Sequence, residues 1–367
     1  MTRPTRTALL LVAAAMVAAA ACSSGGGSSA TTTVPAVPVR LDQVQLLAAH
    51  NAYHLEGPKP LLDAITAALP SLTPTIEYSH PTLGEELDLG VRSVELDVFE
   101  DPDGGRYAVP KAVALLGLDP LGPEMTEPGF KVFHIQEVDF RSTCSSLVAC
   151  LQDLRTWSEQ HDGHLPIVVQ LEVKDGAIAD PLNLGFVQPI PVTAGTFTAL
   201  EAEIRSVLPD ERIVTVADVQ GKHDTLGAAI ADGGWPALDE LRNRFVFVLD
   251  DHAAKRDLYR GLHPDTRDRL LFVDAVPPEA DAAFTVLNDP VADGARIREL
   301  VRQGLLVRTR ADADTVEARA GDTTRRDAAF ASGAQIVSTD YEREDPRFPG
   351  YKVELPGNGG AARCTPV

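Results

Sequence analysis

The sequence is poor in aromatic residues, in basic residues and in long hydrophobic runs. Aromatic side chains make up 5% of its 367 residues, and no apolar run reaches the about 20 residues that a membrane-spanning helix needs. The 33 Lys and Arg residues are outnumbered by 53 Asp and Glu residues, for a formal net charge of −20. This deficit argues against a nucleic-acid partner and against adsorption to anionic lipid through a polybasic patch, because both need a basic surface.

The longest apolar stretch is N-terminal: Arg3 and Arg6 precede residues 8–21, and Cys22 follows. A basic start, a short apolar core and small residues before a cleavage site are typical of a secretory signal. A cysteine at this point resembles a bacterial lipoprotein signal, which implies lipidation of Cys22, with plain secretion as the alternative. We expect a signal peptide over 1–22 and a protein secreted across the inner membrane, then anchored by lipid to the outer face of the cell membrane or free outside the cell.

The remaining three cysteines limit the pairing. Cys144 and Cys150 are close in sequence and are predicted to form a disulfide in an oxidising compartment. Cys364 is then left over near the C-terminus. Either it is free, or one of the assumed partners is wrong.

The chain is predicted to hold a single α/β domain over residues 41–345, between a flexible linker over 23–40 and a tail over 346–367. Alternating apolar runs and helical patterns predict a parallel sheet with helical crossovers. Nine strand candidates fit a closed parallel (β/α)8 barrel of the TIM type, with one candidate spurious. An open doubly wound sheet is the alternative, but no glycine-rich dinucleotide loop follows the first strand. The strand candidates are 44–49, 91–98, 131–135, 167–173, 245–249, 270–274, 284–287, 305–309 and 335–338, with 270–274 and 284–287 competing for one place; helix candidates include 60–68, 82–89, 145–159, 197–207, 239–243, 293–302 and 323–332.

Four polar stretches stand where the first four predicted strands run out: His50-Asn51, Glu95-Leu96-Asp97, His134 and Glu172. In a parallel α/β barrel the chemistry sits at the C-terminal ends of the strands. If these four strands are parallel and adjacent, they gather two imidazoles, three carboxylates and one amide into one pocket. The coincidence of the four stretches is a stronger indication than any one of them.

The acidic residues in this set indicate a metal site. Glu95 and Asp97 are two apart in a strand, so both point to one face and repel each other unless a cation or a proton lies between them. With Asn51 and Glu172 they form an oxygen-only set, which suits calcium or magnesium rather than zinc. The alternative is a salt-bridge cluster with Arg92 or Lys174.

The histidines indicate proton transfer near neutral pH. His50 and His134 facing one pocket can act as a base and an acid, or as one proton relay and one phosphate contact; the alternative for each is a core histidine bonded to a backbone carbonyl. His54 is expected either to support the site or to be structural. Four strand-associated cations are candidates for substrate phosphate contact, although the last two can instead pair with Asp312 or Asp314: Lys131, Lys174, Arg308 and Arg310.

The site residues stand in ordered motifs. These are His50-Asn51-Ala52-Tyr53-His54, Gly90-Val91-Arg92 leading into Glu95-Leu96-Asp97, Phe133-His134, Leu171-Glu172-Val173-Lys174, and the later segments Gly234-Trp235-Pro236, 245–250 and Ser338-Thr339-Asp340-Tyr341. Over about residues 41–341 the chain resembles the calcium-dependent bacterial branch of the phosphatidylinositol-specific phospholipase C superfamily. The resemblance implies an eight-stranded barrel whose substrate is a phospholipid at a membrane surface, and we expect a monomer.

The resemblance also implies roles. Asn51, Glu95, Asp97 and Glu172 would hold Ca2+. His50 would contact the phosphate, His134 would protonate the leaving diacylglycerol oxygen, and Glu95 could accept the proton of the inositol 2-hydroxyl, giving a cyclic inositol phosphate. The alternatives are a glycerophosphodiester- or sphingomyelin-type phosphodiesterase, whose first histidine is commonly followed by Arg rather than Asn, and a non-catalytic lipoprotein that binds an inositol headgroup.

Overall fold

The computed structural model describes residues 38–180, 183–357 and 360–367. The segment Pro38–Val367 forms one compact unit. The predicted signal peptide, the lipidation candidate Cys22 and nearly all of the predicted linker lie outside the described residues. Among the described helices, none combines the length and hydropathy that crossing a bilayer requires.

A curled, mostly parallel sheet organises the fold. Its strands are β1 (Val44–Ala49), β2 (Ser93–Phe99), β3 (Lys131–Val132), β4 (Ile167–Val173), β5 (Ile213–Val214), β6 (Phe245–Leu249), β7 (Phe272–Val273), β8 (Phe284–Val286), β9 (Leu306–Arg310), β10 (Ile336–Thr339) and β11 (Arg363–Cys364). The hydrogen-bonded order is β5-β6-β4-β2-β1-β10-β9-β8, with β3, β7 and β11 paired to β2, β6 and β1.

Helices connect the strands and cover the outside of the sheet. They are α1 (Lys59–Ala68), α2 (Thr73–Ile76), α3 (Leu83–Asp88), α4 (Lys111–Leu116), α5 (Leu147–Gln160), α6 (Ala194–Val207), α7 (Val216–Gln220), α8 (Leu226–Ala231), α9 (Ala253–Leu262), α10 (Pro290–Arg302), α11 (Val316–Ala320) and α12 (Thr324–Ser332). The predicted helix over 239–243 is wrong, because that segment is a series of turns ahead of β6.

The period of the strands decides which side chains face the site. In β2, Val94, Leu96 and Val98 belong to the apolar cluster that includes Leu147 and Leu151 of α5. Successive side chains in a strand point to opposite faces. The intervening residues of β2, among them the two carboxylates of the Glu-x-Asp triplet, therefore face the inside of the curl rather than the helices.

The predicted closed barrel is confirmed in part. Eight parallel strands follow one another around the curl in the order β1, β2, β4, β6, β7, β8, β9 and β10. The junction between β7 and β8 is a single bridge between Asp274 and Phe284 rather than a continuous ladder. The fold is thus an α/β arrangement with a TIM-like curled parallel sheet that is open rather than clearly closed at this point.

The prediction of a parallel third strand is wrong. β3 is antiparallel to β2, with Val132 opposite Val98 and Lys131 opposite Phe99. β3 follows a long excursion that leaves the carboxyl end of β2. It therefore pairs antiparallel with that end of β2 instead of starting at the amino end of the sheet, as a parallel strand would. The spurious strand of the nine was therefore this one, and the runs at 270–274 and 284–287 do not compete, because both contain strands.

The C-terminal segment predicted to be a tail is packed into the fold. Tyr351 and Val353 are buried in the main apolar cluster, and β11 pairs with β1 through Val44 and Cys364. Cys144 and Cys150 form a disulfide with an S–S distance of 2.13 Å. The described part of the chain contains no free cysteine, so Cys364 is not a free thiol.

Candidate functional site

Three carboxylates converge at the carboxyl ends of β2 and β4. The parallel register sets Asp97 directly opposite Glu172, and Glu95 lies two residues before Asp97 on the same face. One ligand oxygen from each of the three lies within 4.8 Å of the others. Glu95 and Asp97 are buried, whereas Glu172 is half-buried. The strand register alone therefore builds an acidic cluster that opens toward solvent on the β4 side.

Burial without full compensation makes this cluster electrostatically unusual. It raises the pKa of Glu95 and of Asp97 to about 8, against the opposing effect of Arg308 and Lys174 respectively. Asp97 Oδ2 forms an ion pair with Lys174, and neither oxygen of Asp97 has a partner that meets ordinary hydrogen-bond geometry. A buried carboxylate with so few partners is costly, so a cation is the natural complement to this cluster.

The Lys174 ammonium currently lies between two of the carboxylates. Its Nζ is 3.2 Å from Asp97 Oδ2 and 3.0 Å from Glu172 Oε1. Arg92 is not part of the cluster, because its guanidinium donates to the carbonyls of Leu87 and Val91. The salt-bridge alternative is therefore present for Lys174 and absent for Arg92. Lys174 supplies positive charge at the place where a divalent ion would supply it.

Asn51 ties the end of β1 to the acidic cluster. It follows β1 with a φ of 47°, a left-handed conformation that asparagine tolerates better than most residues. The turn lets the next amide, that of Ala52, donate to the Glu95 carbonyl at 3.0 Å. Asn51 Oδ1 accepts from the Tyr53 hydroxyl at 3.2 Å. Burial raises the pKa of this hydroxyl, and the nearby Asp97 carboxylate raises it further.

These donors fit a hard divalent cation. Every candidate ligand atom is an oxygen, and both oxygens of Asp97 are buried, with Lys174 as their charged neighbour. The Asn51 oxygen has a second lone pair besides the one that accepts from Tyr53. Oxygen-only sets that combine carboxylates with an amide are typical of Ca2+.

Arg308 and Arg310 reach the same end of the sheet from β9. Arg308 forms an ion pair with Glu95, and its Nη1 donates to Asn288 Oδ1 at 2.7 Å. Arg310 Nη2 lies 3.3 Å from Asp340 Oδ2. Of the two acids proposed as their partners from the sequence, Asp312 contacts Arg310 through its backbone carbonyl, at 2.9 Å from Nε.

Lys131 is not brought to this cluster. Its side chain is buried, and its Nζ donates to the carbonyls of Glu127 and Gly129 at 2.5 and 3.0 Å. It also lies 3.5 Å from Asp101. Because β3 is antiparallel to β2, Lys131 lies opposite Phe99, and its ammonium is occupied by the carbonyls of the excursion that follows β2 instead of by the carboxylate cluster.

His50 stands at the end of β1, fixed by a carboxylate from the end of β10. Its Nδ1 is 2.7 Å from Asp340 Oδ1, and its amide donates to the Thr339 carbonyl. Burial and the nearby Arg310 lower the pKa of His50 to about 3, against the opposing effect of Asp340. A neutral imidazole that donates Nδ1–H to Asp340 keeps Nε2 as an acceptor. This tautomer is assigned because Nδ1 is closer to Asp340 Oδ1, at 2.7 Å, than to Arg310 Nη2, at 3.3 Å.

His134 forms a second pair with Asp139. Its Nδ1 is 2.8 Å from Asp139 Oδ2, and the same carboxylate lies 2.8–2.9 Å from Nε2 of the fully buried His54. Burial alone would raise the pKa of Asp139, but the two imidazoles outweigh it and lower this pKa. His54 therefore supports the site through Asp139, and its ring stacks on Tyr78 at 4.1 Å.

Four groups important to this site were not singled out from the sequence as site residues. Asp340 and Asp250 follow β10 and β6 directly, so the strand-end rule that found the other carboxylates would have found them too; Asp250 Oδ2 lies 3.7 Å from Arg308. Asp139 and Tyr78 lie in loops, where no periodicity marks them. Tyr78 accepts from Asn51 Nδ2 at 3.0 Å and its ring lies 6.5 Å from that of His50.

Solved structures with this fold have related descriptions. The calcium-dependent phosphatidylinositol-specific phospholipase C of Streptomyces antibioticus aligns with a TM-score of 0.52 and 18% identity, covering 82% of this chain and 95% of that chain. The calcium-dependent phosphoinositol-specific phospholipase C of a Gram-negative Pseudomonas species, in its myoinositol complex, aligns with a TM-score of 0.55 and 16% identity, covering 89% and 95%. At these identities the likeness supports the fold alone. No curated protein matches the sequence.

The family assignment comes from the sequence itself. Residues 39–366 match the family described as phosphoinositide phospholipase C, Ca2+-dependent. The match spans nearly the whole described chain and contains the carboxylate cluster and both histidine–aspartate pairs. Members of this family are phosphodiesterases that depend on calcium. The chain belongs to the calcium-dependent phosphoinositide phospholipase C family.

Proposed function

We propose that this chain cleaves phosphatidylinositol to diacylglycerol and a cyclic inositol phosphate in a calcium-dependent reaction. The observation that carries the proposal is the placement of two histidine–aspartate pairs beside one acidic cluster. His50 with Asp340 and His134 with Asp139 offer two imidazoles whose Nδ1 atoms are engaged by carboxylates, which leaves Nε2 of each for proton transfer. Such a pair suits an acid and a base acting on two oxygens of one phosphodiester.

His50 is the better proton acceptor of the two candidates for this role. Its Nδ1 is held by Asp340 at 2.7 Å, so its neutral imidazole can accept a proton at Nε2 and Asp340 can stabilise the imidazolium that forms. Glu95, the candidate favoured by the family resemblance, is instead committed to an ion pair with Arg308. We therefore assign proton abstraction to His50 and leave Glu95 as a metal ligand, a change from phosphate contact for His50.

His134 is the proton donor to the leaving group. The Asp139 carboxylate stabilises its imidazolium form, as an aspartate does for a catalytic histidine in general. His50 Nε2 takes the proton of the inositol 2-hydroxyl, the hydroxyl oxygen bonds to phosphorus, and the phosphorus–oxygen bond to glycerol breaks. His134 Nε2 gives its proton to the departing glycerol oxygen. The result is diacylglycerol and a cyclic phosphodiester.

Asn51, Glu95, Asp97 and Glu172 would hold the calcium ion, which when bound supplies charge neutralisation at the phosphate and polarises its oxygens. The residues around it prepare this place. Lys174 neutralises Asp97 and Glu172 when no ion is bound. When these two carboxylates hold the ion, the lysine would be free to turn toward the substrate phosphate. Arg310, held by Asp340, is a second candidate for phosphate contact, while Arg308 and Lys131 are occupied by other partners.

A lipid surface suits the exposed apolar residues at this end of the sheet. The segment that leaves the carboxyl end of β2 carries α4, and Val109 and Leu115 in and beside that helix are 65% and 64% exposed. Exposed apolar side chains next to a phospholipid-cleaving site are expected to contact the bilayer. We further propose that the chain is secreted and anchored through Cys22, so that this end meets lipid outside the cell.

The direct test incubates the purified chain with phosphatidylinositol vesicles, with calcium and with calcium chelated, and identifies the phosphorus-containing product by ³¹P NMR. We expect a cyclic inositol phosphate and diacylglycerol only when calcium is present. His134→Ala should lower turnover by ~10²–10⁴-fold, the usual contribution of a general acid. The matched control is His223→Ala, which removes a partly exposed histidine that pairs with Asp232 on the surface.

Other products would reject the proposal in different ways. Release of glycerol phosphate or phosphocholine from the corresponding lipids, with no reaction on phosphatidylinositol, would favour a glycerophosphodiester- or sphingomyelin-type reaction. Binding of inositol-lipid vesicles with no diacylglycerol at any calcium concentration would favour a binding protein.

A further inference from the structure

A second cluster of ionisable side chains lies outside the site described above. His80 precedes α3, Glu86 lies within α3, and Glu342 follows β10 two residues after Asp340. The side chains of the three are essentially fully buried, with exposed fractions of 0%, 0% and 1%. The metal-ligand atoms of the three residues lie within 4.8 Å of one another, so the fold brings two carboxylates and one imidazole together in its interior.

Both carboxylates approach the same ring nitrogen closely. His80 Nδ1 is 2.9 Å from Glu86 Oε1 and 3.1 Å from Glu342 Oε2. Yet both ring nitrogens and all four carboxylate oxygens lack a hydrogen-bond partner. One Nδ1–H can point at only one acceptor, so a single ring proton cannot serve both carboxylates. Two oxygens this close to the same ring nitrogen can instead share a metal ion with it.

The charge balance also calls for a cation. Two carboxylates buried around one imidazole attract positive charge, because uncompensated negative charge in the interior carries a severe desolvation cost. Within the described residues, His80 is the only ion-pair partner of Glu86 and Glu342. One divalent ion would neutralise the pair.

We propose that His80, Glu86 and Glu342 bind a divalent transition-metal ion, for which zinc is the best fit. One imidazole nitrogen with two carboxylate oxygens is a ligand set that zinc accepts. Calcium prefers oxygen ligands, which the cluster of Glu95, Asp97 and Glu172 offers instead. The fold thus holds two metal sites of different chemistry, and the second is closed to solvent as structural zinc sites are.

The position of this ion gives it a structural task. It links α3 to the segment after β10, two parts of the chain that are about 260 residues apart. On the other side of the ring, His80 Nε2 lies 4.0 Å from Asp340 Oδ1, the carboxylate that fixes His50. Groups beyond metal-bound histidines tune and orient a site. The ion therefore stabilises the segment that carries Asp340, and it does so whatever lipid the chain cleaves.

The first experiment measures metal content. The full chain is produced in zinc-supplemented medium, exchanged into buffer with excess calcium, and analysed by mass spectrometry for metals. We expect about one zinc per chain, as for a closed structural site. The variants His80→Gln and Glu342→Gln should lose it, whereas Glu172→Gln, which removes a candidate calcium ligand, should keep it. Wild-type chain that carries no zinc, both from this medium and after refolding with zinc, would overturn the proposal.

The second experiment uses the wild-type chain, so it does not depend on the variants folding. Thermal unfolding is followed in excess calcium, before and after treatment with a chelator that removes zinc and spares calcium. We expect the melting temperature to fall after chelation and to recover when zinc, but not magnesium, is added back. An unchanged melting temperature would assign the cluster to shared protons instead of a metal, and would refute the proposal even if phospholipase activity is intact.

Discussion

Replacement of Asp340 by asparagine tests how the site activates His50. The substitution keeps the shape of the side chain and removes its charge. An amide at this position can present its NH₂ group to His50 Nδ1, which moves the ring proton to Nε2 and takes away the lone pair that accepts the substrate proton. The variant therefore attacks both the tautomer and the stabilisation of the imidazolium that forms during the reaction.

The structure sets the size of the expected effect. His50 Nδ1 and Asp340 Oδ1 are 2.7 Å apart, which puts the centres of the two charged groups about 4 Å apart. Two unit charges at about 4 Å interact by about 4 kcal/mol at an effective dielectric constant of about 20. Since 1.36 kcal/mol corresponds to a factor of ten in rate, we expect Asp340→Asn to lower kcat by about 10³-fold with little change in KM.

The assay is diacylglycerol release from phosphatidylinositol vesicles at saturating calcium. The matched control is Asp239→Asn, which removes a surface carboxylate paired with Arg242 in the turn ahead of β6, at the opposite end of the sheet. Circular dichroism and the melting temperature check that Asp340→Asn is folded. A folded Asp340→Asn variant that retains kcat within about threefold of the wild type would refute the assignment of His50 as the proton acceptor.

Three further predictions follow from the described contacts. Asp139→Asn removes the carboxylate shared by His134 and the buried His54, so we expect kcat to fall by ~10²–10³-fold. The free energy of unfolding should fall by about 1–3 kcal/mol because His54 loses its partner, and full stability in urea unfolding would contradict that role of Asp139. Burial raises the pKa of Asp97 and Glu95 to about 8. Without calcium, the folded chain therefore holds more protons than the unfolded chain between about pH 4 and pH 8, and its free energy of unfolding should fall as pH rises through that window. Saturating calcium should abolish the corresponding fall in melting temperature, and a calcium effect that does not depend on pH would argue against Asp97 and Glu95 as ligands. The double variant Cys144→Ser with Cys150→Ser opens a short loop, so we expect the free energy of unfolding, measured in urea, to fall by about 2 kcal/mol with kcat unchanged. A change in kcat without a loss of stability would contradict this prediction.

The sequence predicted the part of the site that depends on local periodicity. Glu95 and Asp97 share a face because a strand has a period of two, and the apolar residues between and around them fix that face toward the inside of the curl. Asn51 and Glu172 follow from the rule that polar residues at the ends of parallel strands meet at one edge. The order of apolar runs likewise predicted β1, β4 and β6 with their observed bounds, since a buried parallel strand is a short, nearly continuous apolar run.

The sequence could not predict the direction of β3 or the partners that it brings. The run at 131–135 is as apolar as a parallel strand, and only its antiparallel pairing with β2 reveals that Lys131 is buried among backbone carbonyls. His134 was placed at the pocket for the wrong reason: it lies just past a strand that returns along β2, not at the end of one that rises beside it. A short apolar run does not encode its own direction in the sheet.

The amino-acid sequence by itself determined which face each strand turns to the site, which carboxylates gather there and to which family the chain belongs. Tertiary structure alone decided which carboxylate holds which histidine, that Arg308 is taken by Glu95, and that His80, Glu86 and Glu342 meet in the interior. The physical reason is range: the face of a side chain is set by its neighbours in the strand, whereas an ion pair such as His50 with Asp340 depends on two strands distant in the chain becoming adjacent in the sheet.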